Sequence, residues 1–569
     1  MTLSSSHSLV PASRFLPSAF SLLPFIFCLL PIVLYWVFFH SIALNVNYIA
    51  YDDLHVLQII DQWKNASSWV EKLDWLTVGF PEHRIVFTRS VVLISYFLTG
   101  AVHLKNLMIV SNLLWFGQWF IVGLVLKKAL LNTQSFWLAF VPVCWILMGV
   151  HSFENMFWGT SSLGNFGLLF FVMLAAYGFA QNLLTIALIF SFLATFSYGN
   201  GLLTFLIGGI VLALGKQWRQ LLQTLVTFAF TMLLYAFTRA HASPSGLDLT
   251  QWSNYGKALL CFFAFVGSSV NADVYAPSEV AVWASVVWGG VLVGMLTWYF
   301  GRHCWKHQGW GNHATLQRFA FFLFLFVCIT ALGVVYKRAE GDGLLGMFKG
   351  RYRMYPTWLL LVGYLVLIVE IPKPRLRKYT YAFCLFASVL FNLSILYYAV
   401  ASAVNNRRMA IVQEFNSLYN NDLLGLKMFD MTGEDFKHLR NYYRPKLFFD
   451  KNPEVFFPIK TTGNFGLDKI QFDGDLLRIA YHQGYITPTQ DFDDGAYIIF
   501  QSAERTYMAS GLQTALPPKT FVRRGMYWNK GFTATIHRAS VHPGSYKVFV
   551  LLRQNGQNQF YDTQKQMSF

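Results

Sequence analysis

Long apolar runs fill residues 1–401, and this feature limits the chain to a protein that crosses a membrane several times. The first run, residues 21–40, has about 20 positions, enough for one spanning helix, and no signal-peptide cleavage site follows it. Only 13% of all residues are charged, whereas a soluble domain carries about 25%. This composition excludes an ordinary soluble enzyme and a disordered chain.

Basic residues predict how the runs cross the membrane. The further apolar runs are 85–102, 106–126, 134–150, 164–181, 184–198, 201–215, 220–238, 258–270, 281–300, 319–336, 356–371 and 379–400. If every run spans, Lys127 and Lys128 face outside, which the positive-inside rule disfavours. We therefore place 85–102 along the outer interface and 258–270 flat or re-entrant. The result is about eleven spans, a cytoplasmic N-terminus, and in-plane helices in the outer loops.

The composition changes after residue 401. Residues 402–569 hold 20 basic and 15 acidic residues and no cysteine, which is typical of a soluble domain without disulfides. We expect a catalytic all-α polytopic membrane domain over 1–401, then an extracytoplasmic domain that is helical over 403–445 and β-sandwich-like over about 470–569. Its strand signals are 496–500, 533–537 and 546–552. Tyr507, Tyr527 and Trp528 are candidates for stacking on sugar rings, and a lid or packing domain is the alternative.

The first outer loop carries an acidic pair, Asp52 and Asp53, directly after the first spanning helix, with His55 close behind. Carboxylates next to a membrane are costly, which favours a functional site. A helix N-cap is the alternative, but one Asp is enough for a cap. Farther along the same loop, His83 and Arg84 form a second polar group.

The second outer loop contains Glu154, the only acidic residue between Glu82 and Asp248. A lone carboxylate in so apolar a stretch is a site hypothesis, and a solvated loop charge is the alternative. Its neighbours Asn155 and Trp158 complete this candidate group, although Trp158 is also typical of a membrane interface.

A third cluster places basic residues on the outer face, where they are disfavoured. Its members are Lys337, Arg338, Lys349, Arg351, Tyr352 and Arg353. A bound anion explains why they are kept there, because guanidinium groups recognise phosphate in bidentate geometry. Binding of anionic lipid headgroups without catalysis is the alternative.

Together, the acidic pair after the first helix, the second acidic loop and the late outer-face arginines resemble the glycosyltransferase-C superfamily. Lipid A aminoarabinose transferases and protein O-mannosyltransferases belong to it. The resemblance covers about residues 15–400 as architecture. It implies an inverting transfer of a sugar from a polyprenyl-phosphate carrier, such as undecaprenyl phosphate, to a hydroxyl acceptor. In many members the second-loop acid is Asp, whereas here it is Glu154.

The resemblance also implies roles for individual residues. Asp53 would be the general base, with Asp52 the next candidate, and Glu154 would orient the acceptor or support a metal. The donor and its phosphate would be bound by His83, Arg84, Lys337, Arg338, Lys349, Arg351, Tyr352 and Arg353. The acceptor would be bound by His55, Asn155 and Trp158. The two aspartates and Glu154 are ligands that suit Mg²⁺ or Mn²⁺, and the sequence leaves open whether a metal binds.

The expected partners are the lipid-linked sugar donor, membrane lipid and a glycan or secreted-protein acceptor, with no nucleic acid. The expected location is a bacterial inner membrane with the C-terminal domain in the periplasm. Two alternatives remain: a transporter or flippase of a lipid-linked glycan, and a non-catalytic glycan-assembly protein. The sequence contains no Walker A motif, so nothing in it indicates an ATP-driven pump.

Overall fold

A computed structural model describes residues 19–46, 51–80, 83–130, 133–238, 246–273, 277–306, 310, 313–371, 373–420, 459–484, 486 and 491–569. The helices are α1 (Ala19–Ile42), α2 (Tyr51–Leu57), α3 (Ile59–Asn65), α4 (Trp69–Thr77), α5 (Val86–Thr99), α6 (Leu104–Ala129), α7 (Thr133–Leu147), α8 (Phe153–Met156), α9 (Gly159–Ala180), α10 (Leu184–Thr195), α11 (Leu203–Leu214), α12 (Trp218–Phe237), α13 (Trp252–Gly267), α14 (Glu279–Lys306), α15 (Ala314–Asp342), α16 (Met354–Glu370), α17 (Pro374–Asn420) and α18 (Pro518–Arg524). The strands are β1 (Gly463–Asn464), β2 (Lys469–Asp473), β3 (Leu476–Tyr481), β4 (Gly495–Gln501), β5 (Thr506–Ser510), β6 (Phe532–His537), β7 (Ser545–Gln554) and β8 (Gln557–Ser568).

The chain is mostly helical, as its apolar runs predict. Within the described ranges, nine helices are long and apolar enough to cross a membrane. They are Leu23–Ile42, Leu104–Ala129, Ser135–Met156, Gly159–Ala180, Trp218–Phe237, Glu279–Cys304, Ala314–Asp342, Gly350–Glu370 and Arg375–Asn416. Three shorter apolar helices accompany them: Val86–Thr99, Leu184–Thr195 and Gly199–Leu214. The prediction of an integral membrane protein with many apolar helices is confirmed.

Helices α13 and α14 approach each other at glycines. A Cβ atom on Gly267 would lie 1.9 Å from the carbonyl oxygen of Ser285, and one on Gly289 would lie 2.2 Å from that of Phe263. Small residues allow this close packing in membrane proteins, where van der Waals contact holds helices together. The contact fixes the C-terminal end of α13, from which residues 268–273 continue toward the candidate site.

The first long loop is folded back on itself by Arg89, which lies inside an apolar stretch of α5. Its Nη1 donates hydrogen bonds to the carbonyl oxygens of Leu76 (3.2 Å) and Val78 (2.5 Å), at the C-terminal end of α4. Helix α4 begins with a cap in which the Glu71 backbone N–H donates to Ser68 Oγ at 3.2 Å. The Ser67 backbone N–H and hydroxyl in turn donate to the Glu71 carboxylate, and these bonds lower the pKa of Glu71.

The C-terminal region contains strands in two sheets, as its sequence predicts. One sheet has the order β1-β8-β7-β4-β5 and the other the order β2-β3-β6. The predicted strands 496–500, 533–537 and 546–552 fall in β4, β6 and β7. One buried apolar cluster contains side chains from both sheets, among them Ile479 and Val550. The predicted helix over 403–445 is present as far as residue 420, and 421–445 lie outside the described residues.

Helix α17 joins the membrane part to the sheets without a break, because it continues for 47 residues through the predicted boundary at 401. Its last turns cover the edge strand β5. Asn416 Nδ2 donates to the carbonyl oxygen of Met508, and the Met508 N–H donates back to Asn416 Oδ1, both at 2.9 Å. Asn420 donates to the carbonyl oxygen of Thr506 at 2.7 Å. The helix therefore satisfies backbone groups that an edge strand otherwise leaves unpaired.

We predict that Asn416→Ala destabilises the joint between α17 and the sheet. Asn416 is fully buried, so its removal leaves both backbone groups of Met508 without a partner, at a cost of about 2–4 kcal/mol in free energy of unfolding. Chemical denaturation of the purified full chain measures this loss. The control Gln471→Ala removes an exposed side chain from β2, and equal stability of the two variants would contradict the prediction.

Candidate functional site

Asp53 lies at a buried contact between the first long loop and the start of α9. Its side chain is 2% exposed. Oδ1 accepts hydrogen bonds from the Thr160 backbone N–H at 3.2 Å and from the Thr160 hydroxyl. Thr160 is in the first turn of α9, so the carboxylate accepts from the N-terminus of a helix in another segment. The Asp52 side chain lies outside the described residues.

Glu154 connects the second loop to the predicted basic cluster. Its Oε2 accepts a hydrogen bond from the backbone N–H of Arg351 at 3.1 Å. A Cβ on Gly350 would lie 3.1 Å from the Glu154 carboxyl carbon, so glycine gives the carboxylate room beside the backbone. The neighbouring Asn155 is fully buried and donates to the carbonyl oxygen of Arg351 at 2.9 Å.

Arg353 is buried, and hydrogen bonds to four carbonyl oxygens hold its guanidinium group. Nε donates to Phe348 at 3.2 Å, and Nη1 donates to Ser268 at 2.7 Å and to Asn271 at 3.0 Å. Nη2 donates to Asp273 at 3.2 Å. These bonds join the segment after α13 to the turn before α16, which gives Arg353 a positioning role. Its predicted contact with phosphate stays a prediction.

Arg351 lies among polar and aromatic groups from three segments. Its guanidinium carbon is 5.4 Å from the centre of the Tyr352 ring, and Tyr198 and Glu154 both interact with its charge. The His83 ring lies 4.2 Å from the Tyr198 ring, and His83 Nδ1 accepts a hydrogen bond from the Gly199 N–H at 3.3 Å. The first loop, the second loop and the 350–353 turn therefore meet here.

We call this end of the helix bundle the loop end and define it by residues 51–57, 83, 150–160, 198–202 and 345–355. Direct contacts connect these segments, including a hydrogen bond from Asn200 Nδ2 to the Tyr355 hydroxyl at 3.3 Å. The same amide lies 3.3 Å from the Thr330 hydroxyl of α15. Carboxylate, imidazole, guanidinium and phenol groups thus lie on segments that contact one another at this end of the bundle. This mixture suits binding of an anion next to a proton acceptor.

Three of the other four predicted donor residues have partners of their own. Arg84 donates to the Thr238 hydroxyl and lies 4.5 Å from the Tyr235 ring centre. Lys349 forms an ion pair with Asp342 at 2.7 Å. Lys337 lies 5.8 Å from the ring centre of Tyr336, and Arg338 is exposed.

The three predicted acceptor residues all lie in segments of the loop end. Asn155 belongs to the loop end, as described above. Trp158 is buried immediately before α9, and its indole Nε1 has no hydrogen-bond partner among the described residues. His55 lies in α2 with its ring 6.5 Å from that of Phe80. In the C-terminal region, Tyr507 and Trp528 are buried in the packing between elements.

Four residues at the loop end escaped the sequence analysis: Thr160, Tyr198, Asn200 and Tyr355. A signal for two of them exists in Tyr198-Gly199-Asn200-Gly201, where polar residues and glycines separate two apolar runs. A Cβ on Gly201 would lie 2.0 Å from the carbonyl oxygen of Ala194, so this turn requires glycine. Thr160 carries no comparable signal, because a hydroxyl at a helix start is common.

The described residues include no group of three or more His, Cys, Asp or Glu side chains placed to hold a metal ion. The predicted metal ligands include Asp52, whose side chain is outside that set, so this prediction stays untested.

Comparison with protein-family models, curated proteins and solved structures finds no match to the chain.

We predict that Thr160→Val weakens the attachment of the first loop. Valine keeps the shape of threonine and the backbone N–H but removes the hydroxyl that donates to Asp53. Loss of this buried bond to a carboxylate costs about 1–3 kcal/mol. Thermal unfolding of the purified chain measures the change, and Thr160→Ser, which retains the hydroxyl, is the control. Equal stability of the two variants would contradict the predicted contact.

We predict that Arg353→Lys destabilises the loop end, although it keeps the positive charge. An ammonium group is a compact donor and does not reproduce the planar fork that reaches four carbonyl oxygens. The expected loss is at least about 3 kcal/mol, as for breaking other buried charged networks. The exposed Arg338→Lys is the control and is expected to change stability by less than about 0.5 kcal/mol. Denaturation of both variants checks the difference.

Proposed function

We propose that the chain is an integral membrane glycosyltransferase that moves a sugar from a polyprenyl phosphate to a hydroxyl acceptor at the loop end. The observation that carries the proposal is the meeting of Glu154 with the Arg351 backbone, beside the site where Asp53 joins α9. It brings two carboxylates and a guanidinium group from three distant segments to one end of the bundle. A transferase of this class needs a base and an anion-binding group there.

In the proposed reaction, the acceptor oxygen attacks the anomeric carbon as the bond from that carbon to the lipid phosphate oxygen breaks. The acceptor proton passes to Asp53, and the lipid phosphate leaves with the bonding electrons. Attack from the face opposite the leaving group inverts the anomeric centre. Thr160 supports this role, because its two hydrogen bonds to Oδ1 hold the carboxylate in one orientation.

We assign charge neutralisation of the leaving phosphate to Arg351. Arg353 already donates to four carbonyl oxygens, and Lys349 is paired with Asp342, whereas the Arg351 guanidinium lies beside the Tyr352 ring and interacts with Glu154 and Tyr198. Phenol hydroxyls near a guanidinium add donors for phosphate oxygens. Glu154 then holds the turn that presents Arg351 and orients the acceptor.

The proposal includes a topology. About eleven passes place the N-terminus in the cytoplasm and the loop end outside, with α10 and α11 as short passes and α5 along the interface. The C-terminal sheets form a sandwich in the periplasm of a bacterium. Arg407 Nη1 donates to the carbonyl oxygen of Ile42, at the end of α1, at 2.9 Å. This contact supports a placement of the sheets on the same side of the membrane as the loop end.

The test replaces Asp53 with Asn in the organism that encodes the chain. Asparagine keeps an oxygen that accepts the Thr160 bonds but does not take up the acceptor proton, so the protein should fold and lose transfer. Mass spectrometry of lipids from a deletion strain that carries Asp53→Asn should reveal an accumulated polyprenyl-phosphate sugar. Asp52→Asn is compared beside it, and Asp61→Asn in α3 is the control that should match wild type.

A second step separates transfer from transport. Purified wild-type protein added to the accumulated lipid and acceptor should release free polyprenyl phosphate and a glycosylated acceptor. A transporter would leave the mass of the lipid unchanged, and an assembly protein would show no accumulation in any variant. Either of these outcomes would contradict the proposed function.

A further inference from the structure

The lipid-facing surface of α17 ends where the C-terminal domain begins. Exposed large apolar side chains follow one face of this helix at spacings of three and four residues. They are Tyr379, Phe383, Phe386, Leu390 and Leu393. The next position on the same face is Tyr397, four residues on, which places it at the upper end of the stripe. Tyrosine is enriched at that level, where hydrocarbon meets water.

Helix α18 packs directly on this end of the stripe. The ring of Phe521 lies 5.3 Å from that of Tyr397, and the Tyr527 ring lies 5.1 Å from it. The Tyr397 hydroxyl donates to the carbonyl oxygen of Leu516, and the Tyr527 hydroxyl donates to that of Tyr397. The segment 516–527 is therefore held at the height at which α17 leaves the apolar layer.

The surface of this segment is both apolar and basic. Val522 is 83% exposed, and Phe521 and Met526 are exposed beside it. Lys519, Arg523 and Arg524 are also exposed. The sequence has no acidic residue between Glu504 and Asp562, so this stretch contains no carboxylate that would offset the positive charge of Lys519, Arg523 and Arg524. An exposed apolar patch with lysine and arginine around it is the pattern of a segment in a lipid headgroup layer.

We propose that residues 517–526, which we call the foot, rest on the membrane that α17 crosses and are held there by anionic lipid headgroups. Val522 and Met526 enter the interface, while Arg523 and Arg524 contact phosphate groups of the lipids. The continuity with the stripe on α17 and the sign of the charge identify the bilayer as the partner. The foot fixes the sheets over the membrane, and this inference does not depend on the proposed function.

The experiment measures the depth of the foot in the full-length protein. A fluorescent amino acid is incorporated in place of Val522, and the chain is placed in nanodiscs that contain lipids with a nitroxide quencher on the headgroup. The control position is Glu504, exposed in the turn before β5. The Asn420–Thr506 hydrogen bond places that turn near the end of α17, about 35 Å along the helix from Tyr397 at 1.5 Å per residue.

Quenching should be several-fold stronger at position 522 than at position 504. Equal quenching at the two positions would overturn the proposal that the foot meets the bilayer. Because position 522 is exposed, the fluorescent residue is expected to leave the fold intact, and unchanged thermal unfolding of the labelled protein verifies this.

A charge series tests the role of anionic headgroups. In nanodiscs rich in phosphatidylglycerol, Arg523→Gln with Arg524→Gln should reduce quenching at position 522, and high salt should have the same effect. The matched control, Lys547→Gln with Lys565→Gln, removes the same charge from exposed sites on β7 and β8 and should leave quenching unchanged. The assignment to anionic lipid would be overturned if the two double variants showed equal quenching at position 522. It would also be overturned if quenching in pure phosphatidylcholine equalled that in phosphatidylglycerol-rich nanodiscs.

Discussion

The guanidinium group of Arg353 holds together the part of the molecule on which the candidate site depends. Non-helical backbone at the end of a membrane bundle has carbonyl groups that water does not reach easily, and each needs a donor. Arg353 supplies donors to Phe348, Ser268, Asn271 and Asp273. The turn it fixes then offers the Arg351 N–H to Glu154. One buried charge thus connects the segment after α13, the turn before α16 and the second loop.

The same physical solution recurs elsewhere in the chain. Asp53 accepts from the N-terminal turn of α9, Arg89 donates to the backbone after α4, and Asn416 pairs with both backbone groups of Met508. In each case a polar side chain on a helix satisfies the backbone of a separate segment. Such bonds contribute little net free energy when formed but are costly to lose when buried. They therefore determine where loops and sheets sit on the helices more than how stable the helices are.

Much of the fold was predictable because local patterns encode it. Apolar runs indicate helices, and short runs rich in β-branched and aromatic residues between turn residues indicate strands such as β4 and β7. The partners at the loop end were not predictable, because they are far apart in sequence: Asp53 and Thr160 are separated by 107 positions. The sequence shows that Arg353 is charged but not which carbonyl groups surround it. All basic residues between Lys337 and Arg353 therefore looked equally suited to bind phosphate. In the structure they differ, since Arg353 donates to carbonyl oxygens, Lys349 pairs with Asp342, and Arg351 lies beside the Tyr352 ring and interacts with Glu154.

The proposed function requires one phosphate-bearing lipid to engage the first loop, the second loop and the 350–353 turn together. Hydrogen–deuterium exchange of the full chain in nanodiscs, with undecaprenyl monophosphate as the probe and the corresponding alcohol as control, tests it directly. We expect the phosphate, and not the alcohol, to slow exchange in peptides that cover 51–57, 150–160 and 350–355, with β7 and β8 unchanged. Unaltered exchange in all three peptides, or an equal effect of the alcohol, would contradict the proposed function.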